Sequence, residues 1–136
     1  MLFSDKELNF DIPKVMGIIN LTPDSFSDGG KFFSKKSLKV DRSKVLKEIE
    51  AMENSGASFI DIGAESTRPN SVRISVQEEM DRLMPILEEI KNIRAVVSID
   101  SSKGEVIFEA IKKGVNLIND INSLEDKNSL ELVKKY

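Results

Sequence analysis

Val15 to Gly30 reads VMGIINLTPDSFSDGG, and the rest of the chain repeats its organisation. The first five residues are apolar or small, whereas the chain from Asn20 onward is polar and rich in turn-forming residues. This change predicts a buried β-strand over 15–19 that ends in a loop. The amide of Asn20 lies at the junction, where it can both donate and accept hydrogen bonds. A hairpin or a surface loop would also explain this stretch alone, but the same pattern recurs three times downstream.

Three further apolar runs are each followed by a polar loop and an amphipathic segment. They predict strands near 58–62, 95–99 and 115–119. Helices are predicted from a cap at Asp41 or Ser43 to about Asn54, from about Ser75 past Pro85, through 106–113, and from about Asn128. Strands that alternate with helices lie parallel and are joined by right-handed helical crossovers. The predicted fold class is therefore α/β with a parallel sheet.

The segments outside these units are less regular. Leu2-Phe3 and residues 8–10 are predicted as two short strands around a turn at 4–7, a hairpin that could plug one end of a larger structure. Residues 31–41 are expected to be basic and irregular, with Lys31, Lys35 and Lys36 on the solvated surface.

The composition restricts the possible functions. The 136 residues suffice for one domain, and 40% hydrophobic with 32% charged content is ordinary for a globular protein. The absence of cysteine and histidine excludes a disulfide, a Ser-His-Asp triad and a histidine-ligated zinc site within the chain. A net charge of −3 gives no reason to expect nucleic acid or an anionic membrane as partner. No signal-peptide pattern and no apolar run near the ~20 residues of a membrane span are present, so a cytoplasmic protein is expected.

Polar residues follow or interrupt every apolar run, at Asn20, Asp61 with Glu65, Asp100, and Asn119 with Asp120. In parallel α/β folds, functional groups collect at the C-terminal ends of the strands. Each residue alone is more often a helix cap or a turn former, but four such positions at one end of a sheet favour a functional site. Asp61 and Glu65 could form an acid–base pair. Alternatively, Asp61 is an interior carboxylate that bonds neighbouring strand ends, and Glu65 fixes its own loop.

Four motifs together resemble the dihydropteroate synthase family, the pterin-binding barrel enzymes of folate synthesis. They are NLTPDSFSDGG at 20–30, GAESTRPN at 63–70, SIDSSKGEV at 98–106 and LINDINSL at 117–124. The first two are specific to this family, whereas the last two also resemble related pterin-binding methyltransferases. The resemblance implies a TIM (β/α)8 barrel, of which residues 1–136 form the N-terminal part, with about four βα units.

The resemblance also implies roles for individual residues. Asn20 resembles the side chain that holds Mg²⁺ with the substrate diphosphate, and Asp100 and Asn119 resemble those that read the pterin edge. Arg68 suits an anion because its guanidinium presents a fork of donors, and it completes the expected catalytic set with Asn20 and Asp100. The other implied substrate contacts are Ile18 and Ile121 on the ring faces, and Phe26, Thr67 and Pro69, which with Arg68 close over para-aminobenzoate and the diphosphate.

The activity implied by the resemblance is that of a transferase. It joins hydroxymethyl-dihydropterin diphosphate to para-aminobenzoate and releases diphosphate, with Mg²⁺ as cofactor. A complete barrel needs ~250 residues, so this chain alone is expected to be inactive. The resemblance also implies that the full-length protein is a homodimer. Two alternatives stay open. One is a non-catalytic half-barrel that binds a partner chain, and the other is a pterin-dependent methyltransferase domain, which the first two loops disfavour.

Overall fold

The computed structural model describes residues 1–3, 5–23, 31–34, 37–68 and 71–136. Within them, the strands are β1 (Leu2–Phe3), β2 (Lys6–Glu7), β3 (Val15–Asn20), β4 (Phe33–Ser34), β5 (Ser37–Val40), β6 (Ala57–Gly63), β7 (Val96–Asp100) and β8 (Leu117–Asn119). The α-helices are α1 (Arg42–Asn54), α2 (Val76–Leu87), α3 (Gly104–Lys113) and α4 (Lys127–Lys135), and a 3-10 turn spans Ile90–Asn92.

The central element is a four-stranded parallel sheet in the order β3-β6-β7-β8. This confirms the predicted α/β class and the four predicted strands, with one difference at the last of them. β8 begins at Leu117 and not at Val115, because the Val115 N–H donates to the carbonyl of Ala110 at the end of α3, over 3.1 Å. Val115 thus bonds to the end of the helix, and the predicted strand 115–119 begins two residues too early.

The two faces of this sheet have different surroundings. Ile19 is fully buried in the core with Val45 and Ile49 of α1, whereas the preceding residue, Ile18, is 56% exposed. Successive strand residues point to opposite faces, so helices cover one face and leave the other open. The helix lies close at Gly17, where an added Cβ would come within 2.6 Å of the Met52 sulfur. The open face carries the polar strand-end residues.

The helices begin and end where their capping residues predict. The Asp41 carboxylate accepts a hydrogen bond from Lys44 N–H at the start of α1, and the Ser75 hydroxyl accepts one from Glu78 N–H at the start of α2. α2 ends two residues after Pro85, which has no N–H to continue its hydrogen-bond ladder. No helix among the described residues is both long and apolar enough to cross a bilayer.

The N-terminal hairpin forms, but its second strand was predicted wrongly. Lys6–Glu7 pairs with Leu2–Phe3, whereas residues 8–10 form no strand. The Lys6 ammonium donates to the carbonyls of Ile93 (3.0 Å) and Ala95 (2.6 Å), just before β7 begins. These bonds fix the hairpin at the amino-terminal end of the sheet, opposite the strand ends that carry the polar residues.

Residues 31–41 are also more regular than predicted. β4 and β5 pair antiparallel, because Phe32 and Phe33 are buried and give the segment an apolar anchor. The Arg82 guanidinium lies 5.8 Å from the centroid of the Phe33 ring. Lys31 is exposed, as expected, and pairs with Glu48 on α1, whereas Lys35 and Lys36 lie outside the described residues.

Candidate functional site

The C-terminal ends of the four parallel strands lie in one register. Asn20 is opposite Gly63, Gly63 is opposite Asp100, and Asp100 is opposite Asn119. Residues at the same register of neighbouring strands point to the same face, here the open one. The sequence prediction of a shared edge is therefore confirmed for Asn20, Asp100 and Asn119.

Asp61 forms the floor beneath these strand ends. It is 4% exposed, and its Oδ2 accepts a hydrogen bond from Asn119 Nδ2 over 3.1 Å. Its other oxygen, Oδ1, is buried and has no hydrogen-bond partner among the described residues, and the same holds for the hydroxyl of Ser98 opposite it on β7. Asp61 is thus an interior carboxylate bonded to a neighbouring strand end, which agrees with the second of the two interpretations drawn from the sequence and not with the acid–base pair.

Asp100 is a half-buried carboxylate for which the described part of the chain provides no hydrogen-bond donor. Burial raises its pKa to about 6, and the charges of Asp61, Glu79 and other nearby carboxylates add to that rise. Its side chain lies over Gly63, where an added Cβ would be 3.1 Å from Asp100 Oδ2. Asp100 therefore presents to the open face acceptor oxygens that receive no hydrogen bond from the described residues.

Glu65 belongs to a second cluster, at the loop after β6. Its Oε1 accepts the Ile74 N–H over 2.7 Å, which fixes the loop and confirms the second interpretation of this residue. The Lys103 ammonium bridges Glu65 (2.9 Å) and the buried Glu79 of α2 (2.5 Å). Burial alone would lower the pKa of Lys103, but the hydrogen bonds and charges of the two glutamates outweigh it and raise that pKa. Glu65 is therefore held by an ion pair and is not placed as the acid–base partner of Asp61.

Lys103, Glu79 and Arg82 were not identified from the sequence. Two sequence signals could have identified Lys103 and Glu79. Lys103 occupies the N-cap position of α3, where short polar residues are favoured, and Glu79 interrupts the apolar stripe of α2. Arg82 donates to the carbonyl of Ala64 over 2.8 Å and reaches that of Leu21 at 3.5 Å. It therefore links the starts of the loops that follow β3 and β6.

The remaining predicted site residues lie around this edge. Thr67, Arg68 and Ile121 line a cavity of about 220 Å³ between the loop after β6 and the residues after β8. Ile121 is 63% exposed, and Ile18 lies on the open face two residues before Asn20. Phe26 and Pro69 lie outside the described residues.

Comparison with known proteins agrees with the motifs. A family model described as pterin binding enzyme matches residues 16–136. Dihydropteroate synthase of Haemophilus influenzae is 46% identical over 133 residues, which are 97% of this chain and 46% of that protein. The same enzyme from Yersinia pestis, solved with a sulfonamide drug, superposes with a TM-score of 0.88 at 40% identity, over 99% of this chain and 47% of the other.

A third relative, Xanthomonas albilineans dihydropteroate synthase with 4-aminobenzoic acid, gives a TM-score of 0.82 at 34% identity, over 98% of this chain and 47% of the other. The chain thus spans about half the length of the relatives that it matches. The barrel expectation is confirmed for the part of the TIM barrel that the chain covers. Since the family match extends over 16–136, the chain belongs to the pterin-binding enzyme family.

Proposed function

We propose that this chain is the N-terminal part of a dihydropteroate synthase. The observation that carries the proposal is the set of acceptor groups at the strand ends: no described residue donates a hydrogen bond to the Asp100 carboxylate, and Asn119 lies beside it in register. A dihydropterin ring presents amino and ring N–H donors along one edge, which such oxygens can accept. The Burkholderia cenocepacia relative, solved with 7,8-dihydropteroate, supports a ligand of this class.

In the proposed reaction, the amine nitrogen of para-aminobenzoate bonds to the exocyclic methylene carbon of the pterin. The bond between that carbon and the diphosphate oxygen breaks, and the amine loses a proton. Asp100 and Asn119 orient the ring, and Ile18 and Ile121 contact its faces. Arg68 and Thr67 line the adjacent cavity, where a guanidinium and a hydroxyl suit an anion such as diphosphate or a carboxylate.

Mg²⁺ is part of the proposal, held through Asn20. The residue ends β3 on the open face, and its amide oxygen is a hard ligand of the kind that Mg²⁺ accepts. Among the described residues, no group of three or more histidine, cysteine, aspartate or glutamate side chains could hold a metal. Mg²⁺ keeps several waters and is bound through few protein groups together with substrate phosphates, so a single amide ligand from this chain is compatible with it. When bound, the ion neutralises charge on the departing diphosphate.

A non-catalytic half-barrel that binds a partner chain is the second candidate, and the open face of the sheet favours it. Val15, Met16 and Ile18 are 62%, 40% and 56% exposed on the edge strand β3. At the other edge, a cavity of about 690 Å³ runs along β8 and is lined by apolar residues such as Leu117 and Ile118. Unpaired edges of this kind accept further strands. A homodimer of the full-length protein, which rests on the resemblance, and a cytoplasmic location, which rests on the sequence expectation above, are further proposals.

The proposal is tested with the intact gene product that carries this chain. Purified protein is incubated with hydroxymethyl-dihydropterin diphosphate, para-aminobenzoate and Mg²⁺, and dihydropteroate is detected by mass spectrometry. We expect product from the parent and from Asp81→Asn, a control on the exposed side of α2, and a large loss with Asp100→Asn. Absence of product from a folded parent protein would favour the half-barrel binding module, and equal activity of Asp100→Asn would refute the site.

A further inference from the structure

We infer that Asp61 is a positioning residue that determines which end of the Asn119 amide faces the ligand, and that it thereby makes the site selective for ligand edges rich in hydrogen-bond donors. The inference rests on the proposed function for the identity of the ligand, a pterin. It assigns to Asp61 a role that does not require contact with the ligand.

The first step concerns the amide. A carboxylate only accepts hydrogen bonds, so the group that Asn119 turns toward Asp61 Oδ2, 3.1 Å away, is its NH₂. The amide oxygen then points away from Asp61. The backbone of Asn119 is also fixed, because its carbonyl accepts the N–H of Ser101 over 3.1 Å. Both the strand end and the side-chain orientation are thus determined within the protein, before a ligand arrives.

The second step concerns what the ligand meets. Asn119 is exposed, and no described residue donates to its Oδ1, so this oxygen is available at the open face. Asp100, its register neighbour, presents a carboxylate that likewise receives no hydrogen bond from a described residue. Two adjacent acceptors require two donors from the ligand edge. With the amide flipped, the site would offer a donor beside the carboxylate and would accept a carbonyl there.

The third step concerns the strength of the orientation. Asp61 is 4% exposed, and Asn119 is the one hydrogen-bond partner that the described residues give its carboxylate. A buried carboxylate that loses its donor is left unsatisfied, which is costly in an interior of low dielectric constant. Flipping the amide would also turn its oxygen toward that carboxylate, acceptor against acceptor. The bond to Asp61 therefore makes the flip unfavourable.

The test compares 6-hydroxymethylpterin with the analogue in which hydrogen replaces the 2-amino group, so that one donor is lost and the ring nitrogens keep their protonation. Calorimetry with the intact protein gives the ratio of their dissociation constants. We expect the parent to prefer the amino ligand by about tenfold or more, the value of one hydrogen bond to a charged or fixed group. In Asp61→Asn the amide at 119 is free to flip, so the preference should fall to within about threefold.

Two further variants separate orientation from charge. Asp120→Asn makes the same substitution at a carboxylate whose charge also acts on Asp100 but which accepts from the backbone of Asn122 and Leu124, so the preference for the amino ligand should persist. In the double variant Asp61→Asn with Asn119→Asp, the new amide at 61 donates to the new carboxylate at 119. An acceptor again faces the ligand, and the preference should return.

A preference for the amino ligand in Asp61→Asn equal to that of the parent would overturn the inference. Equal weakening of the binding of both ligands, not reversed in the double variant, would also overturn it, because that is the pattern of a structural defect. A readout without ligand separates this outcome from failure of the proposed function. By NMR, the side-chain NH₂ of Asn119 should exchange with water about tenfold faster in Asp61→Asn than in the parent or in Asp120→Asn. Equal exchange rates would overturn the inference, whereas slow exchange in a parent protein that binds neither ligand would refute only the pterin assignment.

Discussion

Asp100→Asn should stabilise the ligand-free protein while it weakens pterin binding. The carboxylate is half-buried among other acidic groups, and its pKa of about 6 compares with an ordinary value of 3.8. At 1.36 kcal/mol for each pH unit, that difference corresponds to about 3 kcal/mol by which the charged form disfavours the folded state at neutral pH. Because the side chain keeps some contact with water, and asparagine needs hydrogen-bond partners of its own, we expect a gain of about 1–3 kcal/mol in the free energy of unfolding.

The pH dependence gives this prediction a sign that can be tested. The folded-state pKa is raised, so the folded protein binds the proton more tightly than the unfolded chain does. The penalty from Asp100 is complete above about pH 6, decreases as the pH falls through that value, and disappears near 3.8, where the unfolded chain is protonated too. The advantage of the variant should therefore be largest at pH 7.5 and approach zero near pH 4.

Urea unfolding followed by circular dichroism at pH 7.5, 6, 5 and 4 measures this difference directly. The other carboxylates titrate in both proteins, so subtraction isolates the contribution of Asp100. Asp81→Asn, at an exposed position on α2, should change stability by less than about 0.5 kcal/mol at each pH. A variant that is less stable than the parent at pH 7.5, or whose advantage is the same at pH 7.5 and pH 4, would refute this reasoning.

Four further predictions follow from the site. Asn20→Ala should weaken Mg²⁺-dependent binding of the pterin diphosphate by about tenfold but leave binding of the pterin alone unchanged, and equal calorimetric constants for the diphosphate would refute the metal assignment. Gly63→Ala places a Cβ 3.1 Å from Asp100 Oδ2, so pterin affinity should fall by up to about 10²-fold, whereas an unchanged dissociation constant would contradict the packing argument. Lys103→Met leaves the buried carboxylate of Glu79 without its cation and should cost about 3–5 kcal/mol in urea unfolding, and a cost below about 1 kcal/mol would show that the ion pair is dispensable. Isolated residues 1–136, which span about half the length of the related enzymes, should form no measurable dihydropteroate, since each charge-stabilising group that the rest of a barrel contributes is worth about 10²–10³ in rate, and turnover near that of the intact protein would show that this half carries the chemistry.

The parallel sheet could be predicted from the sequence because its signals are local. Each strand is a short apolar run that ends in a polar loop, and Ser75 and Asp41 cap helices as their side chains allow. The errors occurred where long-range contacts decide the structure. The second strand of the hairpin is set by the bonds from Lys6 to two carbonyls near β7, 87 and 89 residues away, and the hairpin of β4 and β5 is set by burial of Phe32 and Phe33.

The site could be predicted in part for the same reason. Strand ends place Asn20, Asp100 and Asn119 at one edge of a parallel sheet, whatever the detailed packing. The orientation of those side chains could not be predicted, because the partner of Asn119 is Asp61, 58 residues earlier. The ion pair between Lys103 and Glu79 likewise joins α2 to the start of α3, a contact that no pattern within either segment specifies.

The central claim is that the acceptor groups at the strand ends bind the edge of a pterin ring, and a crystal structure of the intact protein with 6-hydroxymethylpterin tests it most directly. The account predicts ring N–H and amino groups within hydrogen-bond distance of the Asp100 carboxylate and of Asn119 Oδ1, with the Asn119 NH₂ still bonded to Asp61. A pterin bound elsewhere, or one that turns a carbonyl toward Asn119 and receives its NH₂, would contradict the account.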